Sequence, residues 1–143
     1  MKIQNAMILA AGIGSRMRPF TIGTPKPLLK IKNKNLLQRS IEFLISFGIK
    51  NLVINTHYLS EQIEEFIFNQ KYKIKIKISK ENKVLLDTGG GIFNGTKDFK
   101  DEPFFTLNPD TLWRSIYLSE IYLMEKLFFE TNKACLLMVD KKL

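Results

Sequence analysis

Cysteine is almost absent from this 143-residue sequence: Cys135 stands alone, which excludes an internal disulfide framework. Long apolar runs are missing too. None reaches the roughly 18 residues that a membrane span requires. The opening Met1-Lys2-Ile3-Gln4-Asn5 leads only into a short apolar stretch over 6–11 and then into glycines. That is too short and wrongly flanked for a signal peptide. A cytoplasmic location with no membrane partner is therefore the default expectation. Arginine is scarce. Arg16, Arg18, Arg39 and Arg114 are the only ones, so the rest of the 22 basic residues are lysines. They are scattered, and the net charge of +8 fits general compositional drift better than a nucleic-acid surface. A basic balance also suits a small polyanionic substrate. Nucleic acid is not an expected partner.

What is present supports a packed fold. Apolar residues make up 45% of the chain and 11 are Phe, enough to supply a core. Strand-like and helix-like segments alternate. Residues 2–10 read as a buried strand, 11–27 as a loop, and Asn35 as the cap of a helix with Gln38 in capping-box spacing and Gly48 as its stop. A strand is expected over 51–55 and a helix capped by Ser60, with Ile63, Phe66 and Ile67 facing inward. Residues 71–77 alternate Ile with Lys, the pattern of a half-exposed edge strand. A helix over 92–99, a strand over 103–108, a helix over 116–129 and a buried strand over 134–139 holding Cys135 complete the reading. This alternation predicts an α/β fold, a mostly parallel sheet with helices on both faces, as one domain spanning 1–143.

In such sheets ligands sit beyond the C-terminal strand ends. Here the first strand runs into Ala10-Ala11-Gly12-Ile13-Gly14-Ser15-Arg16. Glycines allow a tight turn and close backbone approach, and exposed N–H groups can cradle phosphate. Two common glycine motifs fail. The lysine of a P-loop is absent after Gly14, and Met17 stands where a dinucleotide fingerprint needs its third glycine.

The whole stretch Leu9-Ala10-Ala11-Gly12-Ile13-Gly14-Ser15-Arg16-Met17-Arg18-Pro19-Phe20-Thr21, followed by Pro25-Lys26-Pro27-Leu28, resembles the signature of the sugar-1-phosphate nucleotidyltransferases at every fixed position. Leu86-Asp87-Thr88-Gly89-Gly90-Gly91-Ile92 resembles a second family motif, in the form typical of N-acetylmuramate 1-phosphate uridylyltransferases and some mannose-1-phosphate guanylyltransferase-like relatives. Asn55-Thr56-His57-Tyr58-Leu59 and Asn108-Pro109-Asp110 are similar to two further segments.

The resemblance implies a Rossmann-like fold and an in-line attack of a sugar 1-phosphate on the α-phosphorus of a nucleoside triphosphate, releasing pyrophosphate. It implies that Ala10, Ala11, Gly12, Gly14, Gly89, Gly90 and Asn108 approach the nucleotide. Arg16 would hold the leaving pyrophosphate, Lys26 would neutralise charge at the reacting phosphates, and Asp110 would coordinate Mg²⁺. Glu81 reads either as a base-side contact or as a solvated loop residue, and Asp87 and Arg18 are treated with the same reserve. His57 reads as a turn cap, and Trp113 as packing. The chain looks shorter than the family's full active site. A second metal-binding aspartate is expected later in the chain than Asp140, which reads as a strand-end residue. That shortfall leaves room for self-association or a partner chain supplying the missing part. The competing expectations are a non-catalytic nucleotide-binding remnant and a basic nucleic-acid module.

Overall fold

The computed structural model describes residues 1–82 and 84–138. In chain order it contains strand β1 (Asn5–Leu9), a small antiparallel hairpin of β2 (Lys30–Ile31) and β3 (Lys34–Asn35), and helix α1 (Leu36–Phe47). Strand β4 (Asn51–Thr56), helix α2 (Ser60–Gln70), strand β5 (Lys75–Lys80) and helix α3 (Thr88–Gly95) follow, then strand β6 (Phe104–Leu107) and helix α4 (Leu118–Thr131).

The main sheet is parallel throughout and ordered β5-β4-β1-β6. The first three of these strands march in one direction, and the chain then returns across to place β6 on the other side of β1. Because crossovers in such sheets are right-handed, that reversal sends helices to opposite faces. Packing bears this out. Ala6, Ile8, Leu52 and Ile54 face one cluster with Leu37, Ile41 and Ile63 of α1 and α2. The alternate residues Met7 and Val53 face a second cluster with Phe99, just after α3. Strand residues of both parities are fully buried, which explains why β1 and β4 read as continuous apolar runs rather than alternating ones. The expected α/β fold is thus the one observed.

Local signals explain most boundaries. Asn35 Oδ1 accepts from Gln38 N at 2.7 Å, capping α1. The Gln38 side chain turns instead to Glu42 Oε1, so only half of the capping box forms. Gly48 ends α1 at φ 109°, a left-handed conformation that costs glycine little. The lysines of β5 lie on the outer strand of the sheet, where they stay wet and discourage further pairing.

Other expectations are corrected. Ser60 does not cap α2; it is the buried first residue of the helix, and Leu59 in left-handed conformation makes the entry with no side-chain bond. Strand β5 begins at Lys75 rather than 71, because α2 runs to Gln70 and Lys71 turns the chain left-handed. The helix expected over 92–99 instead starts at Thr88, because Asp87 Oδ1 accepts from Gly90 N at 2.6 Å and carries the three glycines into its first turn. Residues 134–138 form no strand, and Cys135 is exposed rather than buried. An apolar cavity of about 670 Å³ separates this segment from β6, so no ladder forms to bury it; only Leu137 packs partly against the core. Val139 and Asp140 lie outside the described residues.

The cap gives a direct stability test. Asn35→Ala is expected to lower unfolding free energy by about 1 kcal/mol, and Asn35→Asp to retain most of it, in urea titrations of the two variants. Equal stability of Asn35→Ala and wild type would show that the side chain contributes nothing to α1.

Candidate functional site

At the reversal, β1 has a parallel neighbour on each side, and the two neighbours leave it in different directions. The crevice opens at the C-terminal ends of β1 and β6. Leu9, Ala10, Gly12, Lys26, Asn108 and Asp110 line a small cleft there, with Pro27 and Pro109 beside them. Five of the residues expected to form the site, distant in sequence, are therefore brought together.

The glycine loop is shaped from within. Gly14 has φ 69°, and a Cβ there would lie 3.1 Å from both Lys26 Cβ and Thr21 Cγ2. Thr21 is buried and donates to the Gly14 carbonyl at 2.9 Å. Gly14, Thr21 and Lys26 thus interlock, which accounts for their fixed spacing. Leu28 N and Leu29 N bond back to Pro25 and Lys26, forming a single tight turn that holds the lysine stem. The loop tip is tied down by Tyr58 Oη to the Ile22 carbonyl at 2.6 Å and by Gln62 Nε2 to that of Gly23 at 3.0 Å. Gly12 differs. Nothing lies within 4 Å of a Cβ added there, so the fold itself does not require its bare backbone.

Lys26 Nζ reaches Asp110 Oδ2 at 2.6 Å across the cleft mouth. The two side chains are 25% and 47% exposed, so this ion pair contributes at most about 1 kcal/mol and yields readily to other partners. Asp110 is positioned by the turn after β6, where Trp113 Nε1 donates to the Asn108 carbonyl and the indole stacks on Phe43 of α1 at 5.1 Å. Trp113 is packing, as expected. Arg16 lies exposed in the short turn Ser15–Met17, outside the cleft lining, and Ala11 is buried. Gly89 and Gly90 open α3 rather than line this cleft.

An exposed carboxylate is the hard oxygen donor that Mg²⁺ takes, and Mg²⁺ is commonly held by one or two carboxylates together with phosphate oxygens. Asp110 fits that chemistry as a single ligand. Among the described residues no group of three or more His, Cys, Asp or Glu side chains gathers into a metal cage.

Two residues at the site had escaped notice as a pair. Asn55 is the penultimate residue of β4, its Oδ1 accepting from Ala10 N at 2.8 Å and its Nδ2 donating to Glu81 Oε1 at 2.8 Å. Glu81 Oε2 accepts from Leu86 N at 2.8 Å. Glu81 is only 4% exposed, so it is not a solvated loop residue. His57 Nδ1 lies 2.6 Å from the Glu81 carbonyl, a turn role as expected. The available signal was Asn55 directly after the apolar run Leu52-Val53-Ile54.

Known proteins share the family and the fold. The Nucleotidyl transferase family profile matches residues 5–139. The chain is 35% identical over 111 residues to N-acetylmuramate alpha-1-phosphate uridylyltransferase of Caulobacter vibrioides, covering 76% of this chain and 46% of that protein. It is 36% identical over 110 residues to the mannose-1-phosphate guanylyltransferase catalytic subunit beta of Danio rerio, covering 75% and 31%. The chain therefore spans between about a third and a half of these relatives' length. Among solved structures, HddC from Yersinia pseudotuberculosis aligns with TM-score 0.72 and 28% identity over 85% of this chain and 54% of that one. A UDP-glucose pyrophosphorylase bound to UDP-glucose shares the fold, with TM-score 0.77 and 23% identity over 92% and 55%.

Gly91 and Gly12 differ in what the fold requires of them. A Cβ on Gly91 would sit 2.9 Å from Asn55 Nδ2 and 3.0 Å from Glu81 Oε1. Gly91→Ala should therefore lower stability by about 1–2 kcal/mol through overpacking, even though Ala is favoured over Gly in a helix by about 1 kcal/mol. Gly12→Ala should stay within about 0.5 kcal/mol of wild type. Thermal and urea unfolding check both, and a neutral Gly91→Ala would mean the network is loosely packed. The profile match over residues 5–139 and the relatives at 35–36% identity show that this chain belongs to the nucleotidyl transferase family.

Proposed function

We propose that the chain binds a nucleoside triphosphate, most suitably UTP, at the end of β1 and transfers its nucleotidyl group to a sugar 1-phosphate, most suitably N-acetylmuramate 1-phosphate, releasing pyrophosphate. The observation that carries this reading is Lys26 and Asp110 paired at 2.6 Å over a cleft lined by Ala10, Gly12 and Asn108. A cation and a carboxylate held by separate loops suit a substrate whose phosphates arrive with a metal.

Ala10, Ala11 and Gly12 carry the backbone that approaches the nucleoside, and the open space at Gly12 leaves room for it. Gly14 holds the loop in shape. On substrate binding Lys26 exchanges Asp110 for phosphate oxygens near the α-phosphorus and neutralises the charge that grows there. Asp110 would hold Mg²⁺, which supplies further charge neutralisation on the phosphates. Arg16, exposed on the loop, reaches toward the departing pyrophosphate, where a guanidinium fork matches phosphate geometry. Gly89 and Gly90 bring the backbone at the start of α3 beside the nucleotide, the Gly90 N–H itself being held by Asp87. Asn108 orients the turn that carries Asp110. The attacking oxygen belongs to the sugar phosphate, so no covalent enzyme intermediate is involved, and catalysis is alignment plus charge neutralisation. This reading carries a cytoplasmic location with it. Among the described residues no helix is long and apolar enough to cross a membrane.

A second reading, guanylyl transfer to mannose 1-phosphate, is favoured by the comparable 36% identity to the guanylyltransferases. Both are tested by pyrophosphate release from the 143-residue chain with Mg²⁺, pairing UTP, GTP, CTP and dTTP with N-acetylmuramate, N-acetylglucosamine, glucose and mannose 1-phosphates. One pair should dominate, and Lys26→Ala and Asp110→Asn should each reduce its rate by about 10²-fold or more. Added Mg²⁺ should recover part of the activity of Asp110→Asn and none of that of Lys26→Ala. A folded chain that binds UTP without turnover would leave nucleotide binding standing and remove catalysis by this polypeptide.

A further inference from the structure

The Glu81 carboxylate joins three separate pieces of the chain. Through Asn55 it reaches the Ala10 amide at the end of β1, through Leu86 N it holds the segment leading into α3, and its Oε1 would lie 3.0 Å from a Cβ on Gly91. Its own backbone is fixed as well, with its N–H bonded to the Thr56 carbonyl at 2.8 Å. Among the described residues none of its side-chain partners is cationic. They are an amide side chain and a backbone N–H, both donors.

Counting donors and acceptors shows why each residue type is needed. Ala10 N–H needs an acceptor, so Asn55 must present Oδ1 to it and has only its NH₂ left to face Glu81. Glu81 therefore receives two donors, one from Asn55 and one from Leu86. A carboxylate answers both, whereas a glutamine would turn its NH₂ against one of them. Buried polar groups left unpaired in this way are costly, so the arrangement is all-or-none.

We infer that Glu81 is a positioning residue, acting through Asn55, that sets the spacing between the glycine loop after β1 and the glycine-rich start of α3, and so the width of the slot that takes the nucleoside. With both carboxylate oxygens occupied and 4% exposure, Glu81 does not itself read the base. The slot assignment rests on the nucleotide-binding reading above; the coupling of the two loops does not.

The pairing logic makes an unusual forecast. Glu81→Gln alone opposes two NH₂ groups or orphans Leu86 N. Asn55→Asp alone sets two carboxylates face to face with no donor between them. The double variant Asn55→Asp/Glu81→Gln pairs everything again. The new carboxylate at position 55 accepts from Ala10 N and from the new amide at position 81, whose oxygen accepts from Leu86 N. The negative charge moves from position 81 to its partner at position 55 and no hydrogen bond is lost.

The experiment measures amide hydrogen exchange at Ala10 and Leu86 by NMR in all four proteins, with thermal midpoints alongside and UTP as the probe ligand in the presence of Mg²⁺. Each single variant should exchange at least about tenfold faster at one or both amides, and the double variant should return close to wild type. UTP affinity should follow the same pattern: weakened about tenfold in each single variant and recovered in the double. If a single variant fails to fold, recovery of both folding and UTP affinity in the double still supports the inference. Unchanged exchange in the single variants, or a double variant no better than the worse single, overturns the coupling. Wild-type UTP affinity in a folded single variant with disturbed amides overturns the positioning role. If exchange behaves as expected but wild type binds neither UTP nor GTP, it is the nucleotide reading of the slot that falls and the coupling that stands.

Discussion

Where parallel strands diverge at a reversal of strand order, the hydrogen-bond ladder stops while the chain is still buried. The Ala10 amide sits at that point: it is buried, it lies one residue past the last residue of β1, and no strand neighbour accepts from it. A buried N–H without a partner is costly, and Asn55 Oδ1 relieves it. Much of the site follows. Asn55 must then donate its NH₂ elsewhere, Glu81 must be a carboxylate, and α3 must carry a glycine at position 91 to pass beside both. The same divergence of strands opens the crevice that holds the cleft. The constraint that threatens stability and the geometry that admits a ligand are two aspects of one topological fact.

The two halves of the cleft are built differently. On the β1 side the loop is rigid: Gly14, Thr21 and Lys26 interlock, and Tyr58 and Gln62 anchor its tip. On the β6 side the turn to Asp110 rests on one indole stacked against α1 and one indole-to-carbonyl bond. A solvent-accessible ion pair links the two sides, and it is weak enough to be replaced by phosphate and metal. Such a division suits a site in which the nucleotide side is prearranged and the charged side answers to the substrate. The outer edge of β6 is bordered by apolar cavity rather than by a further strand among the described residues. The chain also spans between about a third and a half of the length of its curated relatives.

The parts legible from sequence are those with a local physical cause. Asn35 and Gly48 mark α1 because capping and left-handed termination depend on a few adjacent residues. The alternation of strand-like and helix-like segments announced a mostly parallel sheet with helices on each side, and β1 and β4 are buried on both faces. Motif spacing from Gly12 to Lys26 pointed to the cleft because that loop is closed by its own residues. Other features misled because their outcome depended on distant chain. Cys135 carries a buried-strand pattern but lies exposed in a segment that joins no sheet over 134–138, and Ser60 has the chemistry of a cap but is buried inside the first turn of α2.

By itself, then, the sequence determined the class of fold, the family, and the loop that brings Gly12 and Lys26 to a strand end, since each is written in contiguous residues and short periodicities. Tertiary structure alone decided that Lys26 meets Asp110, 84 residues away, and that Glu81 is a buried tie rather than a solvated loop residue. It also decided that Asn55 completes the end of β1. These depend on which strands become neighbours, and neighbour order in a sheet is set by the packing of the whole chain, not by any local run of residues.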